Sequence, residues 1–242
     1  MSTTFLDDTM AFTRRNVEHI RQIPEKLLDV TIQPVMFTLL FAFVFGGAIT
    51  VDGGNYREYL IGGILVQTLT FFMMGPGMSI AEDLKEGAID RFRSLPSNRN
   101  AYLAGHFLAE LGGGLLSIAI ILVTGTAIGW RPHGGLGHAL EALALLTVFA
   151  AAMIWIGTAF GTLVRSSDAV QGVAFVTVFP LTFVSNAFVP AGTLPTALEW
   201  IAAWNPVSAL ASAVRGLFGN PVSPPAREAW PVEHPVAAAW IY

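Results

Sequence analysis

The sequence predicts an all-α integral membrane protein with several spans, and three observations carry that prediction. Hydrophobic residues make up 53% of the 242-residue chain, and mean hydropathy is +0.59. Charged residues are only 12%, about half the ~25% share of ordinary soluble domains. Apolar runs recur at lengths near the roughly 20 residues that cross a hydrocarbon core. Other classes drop out quickly. There is no cysteine, so disulfides, thiolate catalysis and cysteine-based metal sites are excluded. A net charge of −4 without a basic cluster argues against nucleic acid as a partner. The first thirty residues hold no short apolar core with a small-residue cleavage site, so insertion is expected to begin with the first true span.

Residues 10–30 are too polar to span. Met10, Val17, Ile20, Pro24 and Leu27 fall roughly on one helical face, with Arg14, Arg15, Glu18, Arg21, Gln22 and Lys26 elsewhere. This pattern fits an amphipathic helix lying on lipid headgroups and bent at Pro24, with a disordered basic tail as the alternative. Pro34 suits the first turn of span one, at 35–51. A polar turn leads to span two, 59–80, where Gly75-Pro76-Gly77 predicts a kink. Span three is expected at 111–128, followed by the turn-rich loop GWRPHGGLGH. Span four follows at 139–163 and span five at 170–189. Residues 194–218 are apolar but broken at Asn205-Pro206, and neither half is long enough to cross. Two short helices dipping into the outer leaflet fit this stretch, and a surface amphipathic helix competes. A Pro-rich loop then leads to VAAAWIY, which looks like the opening of a sixth span with its remainder absent.

Placing the N-terminus inside puts Arg14, Arg15, Arg21, Lys26, Lys85, Arg91, Arg93, Arg99 and Arg165 on the cytoplasmic side. Only Arg57, Arg131, Arg215 and Arg227 are then outside, which satisfies the positive-inside rule.

The longest charged interruption, 81–102, lies between spans two and three. Glu82, Asp83, Glu86 and Asp90 crowd its start, and Arg91, Arg93 and Arg99 come late, which complements a helix macrodipole. Leu84, Ala88, Phe92 and Leu95 form an apolar stripe, Gly87 can end the extension of span two, and Pro96 pushes Leu95 out of helical conformation. A plain connection needs only a few residues, so this one is expected to dock a partner; a helix-turn satisfied by water is the alternative. No GxxxxGK[ST], HExxH or GxSxG motif is present, and the five histidines are scattered. The spans carry no charge at mid-depth, which disfavours a proton relay or an ion channel.

The stretch EDLKEGAIDRFRSLPSNR, 82–99, resembles the coupling region of ABC-2-type transport permeases, in the subgroup of daunorubicin-resistance-like exporters. NAFVPAGTLPTALEWIAAWNPVSALASAVRGL, 186–217, is similar to that family's outer re-entrant segment with its Asn-Pro and Arg elements. The resemblance implies an ABC-2 (type V exporter-like) bundle of six spans, here five complete helices and a truncated sixth, with a cytoplasmic N-terminus. It further implies pairing with a second permease protomer, homo- or heterodimeric, and binding of a separate ABC ATPase that carries the ATP and Mg, so that no cofactor resides in this chain. The division it suggests is 1–34 for the N-terminal tail and interfacial helix, 35–219 for the transmembrane domain, and 220–242 for the loop and incomplete span. Carried over by position, Glu82, Glu86, Gly87, Asp90, Arg91, Leu95 and Pro96 belong to the coupling helix, and Asn205, Pro206 and Arg215 to the outer gate.

Span one is rich in Phe (Phe37, Phe41, Phe43, Phe45), and span five carries Phe175, Phe179, Phe183 and Asn186. Phe41, Phe72, Met73, Phe179, Phe183 and Asn186 are the candidate substrate path, although each Phe also fits a lipid-facing position. Aromatic, weakly polar walls suit amphiphilic or polycyclic molecules better than sugars or ions. The expected function is the permease subunit of an ATP-driven exporter of hydrophobic drug-like or lipid-like molecules in the bacterial cytoplasmic membrane. A lipid-linked glycan exporter, a non-transporting membrane anchor and, on Glu82, Asp83, Glu86 and His106, a lipid-modifying enzyme are the competitors. The pairs Gly125/Gly129 and Gly157/Gly161 permit close helix packing, within one protomer or between two.

Overall fold

The computed structural model describes residues 5–22, 24–47, 49, 51, 54–88, 98–164, 166–222 and 228–242, with side chains omitted at 19, 20, 24–26 and 99. The described residues contain no strand beyond an isolated bridge between Val51 and Gly54. Helix α1 is Phe5–Gln22, and α2 is Pro24–Leu40, continued by a π-helical turn at Phe41–Phe45. Then come α3 (Tyr56–Phe71), α4 (Met74–Lys85), α5 (Arg99–Ala127), α6 (Gly135–Leu163) and α7 (Ser167–Phe183). A 3₁₀ turn at Ala191–Thr193 precedes α8 (Thr196–Trp204), α9 (Pro206–Phe218), α10 (Trp230–Glu233) and α11 (Pro235–Ile241).

Four stretches are long and apolar enough to cross a membrane: Leu27–Phe45, Tyr56–Lys85, Asn100–Ala127 and Gly135–Leu163. Helices α7 and α9 are shorter apolar helices. The α3–α4 stretch is the centre of the bundle, since 72% of its most apolar window is buried against 17–28% in the other three. The 29 residues of α5 extend about 43 Å, longer than a ~30 Å hydrocarbon core.

Several boundaries differ from expectation for identifiable reasons. The N-terminal helix was expected over 10–30 with a bend at Pro24; instead α1 ends at Gln22 and Pro24 opens α2. Proline is tolerated at a first helical position because its missing N–H would be unpaired there anyway. The apolar span therefore begins at Leu27, and Pro34 sits inside α2 rather than in its first turn. An internal proline cannot donate to the carbonyl four residues back. Here that carbonyl, of Val30, instead accepts from the hydroxyl of Ser117 on α5 at 2.9 Å.

The interruption expected at Gly75–Gly77 falls one turn earlier, at Phe72 and Met73. Pro76 becomes the third residue of α4, inside the first turn, where helix N–H groups lack partners in any case. Span three begins at Arg99 rather than 111, behind an Asn98 cap whose Oδ1 accepts from the Asn100 N–H. Span five is a 17-residue helix ending at Phe183, with Pro180 inside it. The stretch 194–218 does form two short helices joined at Asn205.

Glycines set the closest approach between α4 and α6. A Cβ on Gly157 would lie 2.0 Å from the Met73 carbonyl oxygen, and one on Gly161 would lie 2.3 Å from that of Gly77. The Gly157/Gly161 pair thus packs within the chain. Gly125 abuts Ile61 of α3, whereas Gly129 has φ +103 and turns the chain after α5, so those two do not act as a pair.

Candidate functional site

Two polar clusters lie at opposite ends of the α3–α4 stretch. Tyr59 and Asp83 are 24 residues apart, about 36 Å at 1.5 Å per helical residue.

The first cluster forms where α9 meets α3 and the C-terminal end of α7. Asn205 closes two helix ends at once. Its Oδ1 accepts from the Val207 N–H, capping α9, and its Nδ2 donates to the carbonyls of Leu181 and Val184 at 2.7 Å each, serving α7. Pro206 occupies the first position of α9. One face of α9 then presents Ser208, Ser212 and Arg215 to the turn after α7. The Asn186 N–H donates to Ser208 Oγ, and Asn186 Nδ2 donates to Ser212 Oγ at 2.7 Å.

Arg215 is wholly buried. Its Nε donates to the Tyr59 carbonyl at 2.7 Å, Nη1 to the Asn186 carbonyl at 2.9 Å, and Nη2 to the Ala187 carbonyl at 2.6 Å. Its Cζ lies 3.5 Å from the centroid of the Tyr59 ring, a cation–π geometry. Tyr59 in turn donates its hydroxyl to the Asn186 carbonyl, and Tyr56 donates to that of Phe188. Among the described residues no carboxylate pairs with Arg215. Its charge is met by three carbonyl dipoles and an aromatic face. The guanidinium fits because α3 carries Gly62 and Gly63 here: a Cβ on Gly62 would sit 2.7 Å from Arg215 Cγ, and one on Gly63 would sit 1.7 Å from the Ala187 oxygen. At the far end of α9, Gly219 adopts φ +69, Asn220 accepts from Trp130 Nε1, and the Phe218 carbonyl accepts from the His133 and Gly134 N–H groups. Helix α9 is therefore fastened at both ends and across its middle.

Beside this hub runs a continuous series of phenylalanines. Phe71 meets Phe175 edge-on at 6.1 Å; Phe175, Phe179 and Phe183 stack in turn along α7; Phe183 meets Phe188 at 5.4 Å; and Phe188 stacks on Phe41 at 4.5 Å. Phe41 also stacks on Phe37 and Phe45 across the π-helical turn. Phe175, Phe179 and Phe183 each expose nearly half of their surface. Of the expected path residues, Phe41, Phe179 and Phe183 come together here, and Asn186 lies in the adjoining hub. Phe72 and Met73 lie elsewhere. Phe72 faces Gly113 and Gly114 of α5, and the Met73 backbone is pressed against Gly157 of α6.

The second cluster joins α1, α4 and α5. Asp83 Oδ2 accepts from the Tyr102 hydroxyl at 2.5 Å, and Arg15 Nη2 lies 3.9 Å from Asp83 Oδ1. Asp8 accepts from the Asn98 N–H at 2.9 Å, and Phe12 meets the Tyr102 ring edge-on. Glu82 and Glu86 are exposed, and Gly87 takes φ +68 just past the end of α4. Asp90, Arg91, Leu95 and Pro96 lie outside the described residues.

Residues 7–218 match the family model described as ABC-2 type transporter. The chain belongs to that family. The daunorubicin resistance ABC transporter permease protein DrrB1 of Streptomyces coeruleorubidus is 31% identical over 215 residues, covering 89% of this chain and 76% of the relative. The doxorubicin resistance ABC transporter permease protein DrrB of Mycobacterium tuberculosis is 24% identical over 220 residues, covering 86% of this chain and 75% of the relative. This ABC-2 protein is thus a multi-pass integral membrane permease, which in bacteria resides in the cytoplasmic membrane, and it works within an ABC transporter system that includes an ATPase partner.

Sequence reasoning did not anticipate Tyr56, Tyr59, Gly62, Gly63, Ser208 or Ser212 in the hub. The Gly62-Gly63 doublet inside an apolar helix was the available signal, because it marks a close approach.

Proposed function

We propose that this permease is the membrane subunit of an exporter that moves hydrophobic, drug-like or lipid-like molecules outward, powered by a separate ATPase and paired with a second permease protomer. The family match carries this reading, and the names of the relatives, which speak of daunorubicin and doxorubicin resistance, support the substrate class. The nine-to-four distribution of bases supports a cytoplasmic N-terminus, with five crossings up to the end of α7. The ATPase then docks at the α1–α4–α5 end, on Glu82, Glu86, Gly87 and the adjoining Asp90, Arg91, Leu95 and Pro96. The hub of Asn205, Pro206 and Arg215 forms the outer gate, and the phenylalanine series forms the wall along which substrate leaves.

The α3–α4 stretch links these ends mechanically. Closure of the ATPase displaces α4, whose glycine contact with α6 leaves little room for independent motion. Helix α3 carries the displacement to Arg215 and so to α9. A stacked aromatic wall holds flat apolar molecules by dispersion and ring-quadrupole contacts without demanding one pose.

The test is co-expression with the cognate ATPase, followed by ATP-dependent uptake of doxorubicin into inside-out vesicles. Uptake that requires both proteins and a hydrolysis-competent ATPase is expected. An ATPase that binds the permease but drives no uptake of doxorubicin or of a fluorescent phospholipid would refute the substrate class.

A further inference from the structure

Three acids lie in the last turns of α4 and its cap, and they do not behave alike. Glu82 and Glu86 face solvent. Asp83 turns inward, with 18% of its side chain exposed, and one carboxylate serves two other helices: Tyr102 of α5 on one oxygen and Arg15 of α1 near the other. Tyr102 is itself only 6% exposed. Its ring is wedged between Phe12 of α1, edge-on at 5.8 Å, and His106, stacked at 6.4 Å. A second bond repeats the connection: Asp8, 7% exposed, accepts from the backbone N–H of Asn98, the residue that caps α5. Helix α1 can come this close because α5 has Gly105 at the contact, where a Cβ would lie 2.5 Å from that of Phe12.

We propose that Asp83 is a positioning residue for transport, joining α4 to α5 and α1 so that the three helix ends move as one body. A hydrogen bond to an ionised acceptor in a largely buried site is short, directional and stronger than a neutral one. Tyr102 supplies that bond, and Arg15, the more exposed member, adds charge of the right sign. The joint gives displacement of α5 a directional route to α4, because apolar contacts slide more readily than a hydrogen bond to a carboxylate. A push delivered to either root of the polar segment thereby reaches α4, the helix that leads to the Arg215 hub. The inference rests on the exporter reading for its transport consequence, but the joint itself can be measured independently.

The test uses Tyr102→Phe, which keeps the ring and its packing on Phe12 and His106, and Asp83→Asn, which keeps the volume. Each is compared with the wild-type permease in complex with its ATPase. The expected result is wild-type assembly with the ATPase and transport per ATP hydrolysed reduced about tenfold, the scale of one charge-assisted hydrogen bond. Wild-type transport per ATP in both variants would overturn the proposal. Loss of ATPase assembly in both would make Asp83 a docking residue and also overturn it.

If the wild-type complex transports nothing, the exporter reading has failed, and distance measurement decides the joint. The chain has no cysteine, so spin labels at Lys85→Cys and Asn100→Cys report the α4–α5 spacing without background. A narrow wild-type distance distribution that broadens in Tyr102→Phe supports the positioning role. An unchanged distribution refutes it.

Discussion

Replacing Arg215 by methionine removes a buried charge while keeping similar length and bulk, and the structure permits its effect to be bounded. Three donors are lost, leaving the carbonyls of Tyr59, Asn186 and Ala187 without the guanidinium. Hydrogen bonds from charged groups contribute roughly 1.5–3 kcal/mol each, so the gross loss is about 4–9 kcal/mol. Against this, methionine spares the several kcal/mol needed to strip an ion of water. The π contact with Tyr59 adds about 1–2 kcal/mol to the loss. The balance is a destabilisation near 3 kcal/mol, equivalent to a fall in Tm of about 6–12 °C for a chain of this size. Arg215→Lys keeps the charge but cannot reach three carbonyls in fixed directions, so it should fall between wild type and methionine. Thermal unfolding in lipid nanodiscs, with proteolysis of the turn after α7 as a local readout, measures both variants. A methionine variant as stable as wild type, with that turn equally protected, would refute the view that Arg215 fastens α9 to α3 and α7.

Gly63→Ala should be severe, because its Cβ would lie 1.7 Å from the Ala187 oxygen and 2.8 Å from Arg215 Nη2. The overpacking cost, about 3 kcal/mol, outweighs the ~1 kcal/mol that alanine gains in helix propensity. Gly172→Ala, with open space around it, serves as the control and should be neutral or stabilising in the same thermal assay. Ser117→Ala should cost about 1–2 kcal/mol by leaving the Val30 carbonyl unpaired. In a Pro34→Ala background, where residue 34 regains a donor, the same change should cost under ~0.5 kcal/mol, and a double-mutant cycle reads the difference. Phe183→Leu keeps bulk but removes the stack on Phe179 and the contact with Phe188. It should raise the KM for doxorubicin uptake about three- to tenfold with ATPase assembly unchanged, as expected from about 0.5–1.5 kcal/mol per aromatic pair.

What the sequence reveals here follows from what each kind of residue encodes. Apolar runs, the end of the span-two extension at Gly87 and the split at Asn205-Pro206 are written in local composition, whereas the loop expected at 129–138 gives way to α6 already at Gly135. Helix ends were less legible because partners distant in sequence settle them. Pro34 reads as a helix start until Ser117, 87 positions from the Val30 carbonyl that it serves, supplies the donor that the proline lacks. The same holds for Arg215. As a lone base in a short apolar helix it reads as an outer-surface charge, yet it is enclosed by backbone carbonyls from segments 28–156 residues away. Carbonyls are common to every residue type, so no pattern of side chains announces such a cradle. The phenylalanines show the reverse limitation. Their number was evident, but joining them into one series required the π-helical turn and the placement of Phe188.

The central claim, that this ABC-2 permease is an ATP-driven exporter of hydrophobic molecules, is tested most directly by doxorubicin accumulation in inside-out vesicles carrying the permease and its cognate ATPase. The account predicts accumulation that needs ATP, is lost with a hydrolysis-dead ATPase, and falls sharply in Arg215→Met. Accumulation that persists without ATP, or a stable permease–ATPase complex that moves neither doxorubicin nor a fluorescent phospholipid, would contradict it.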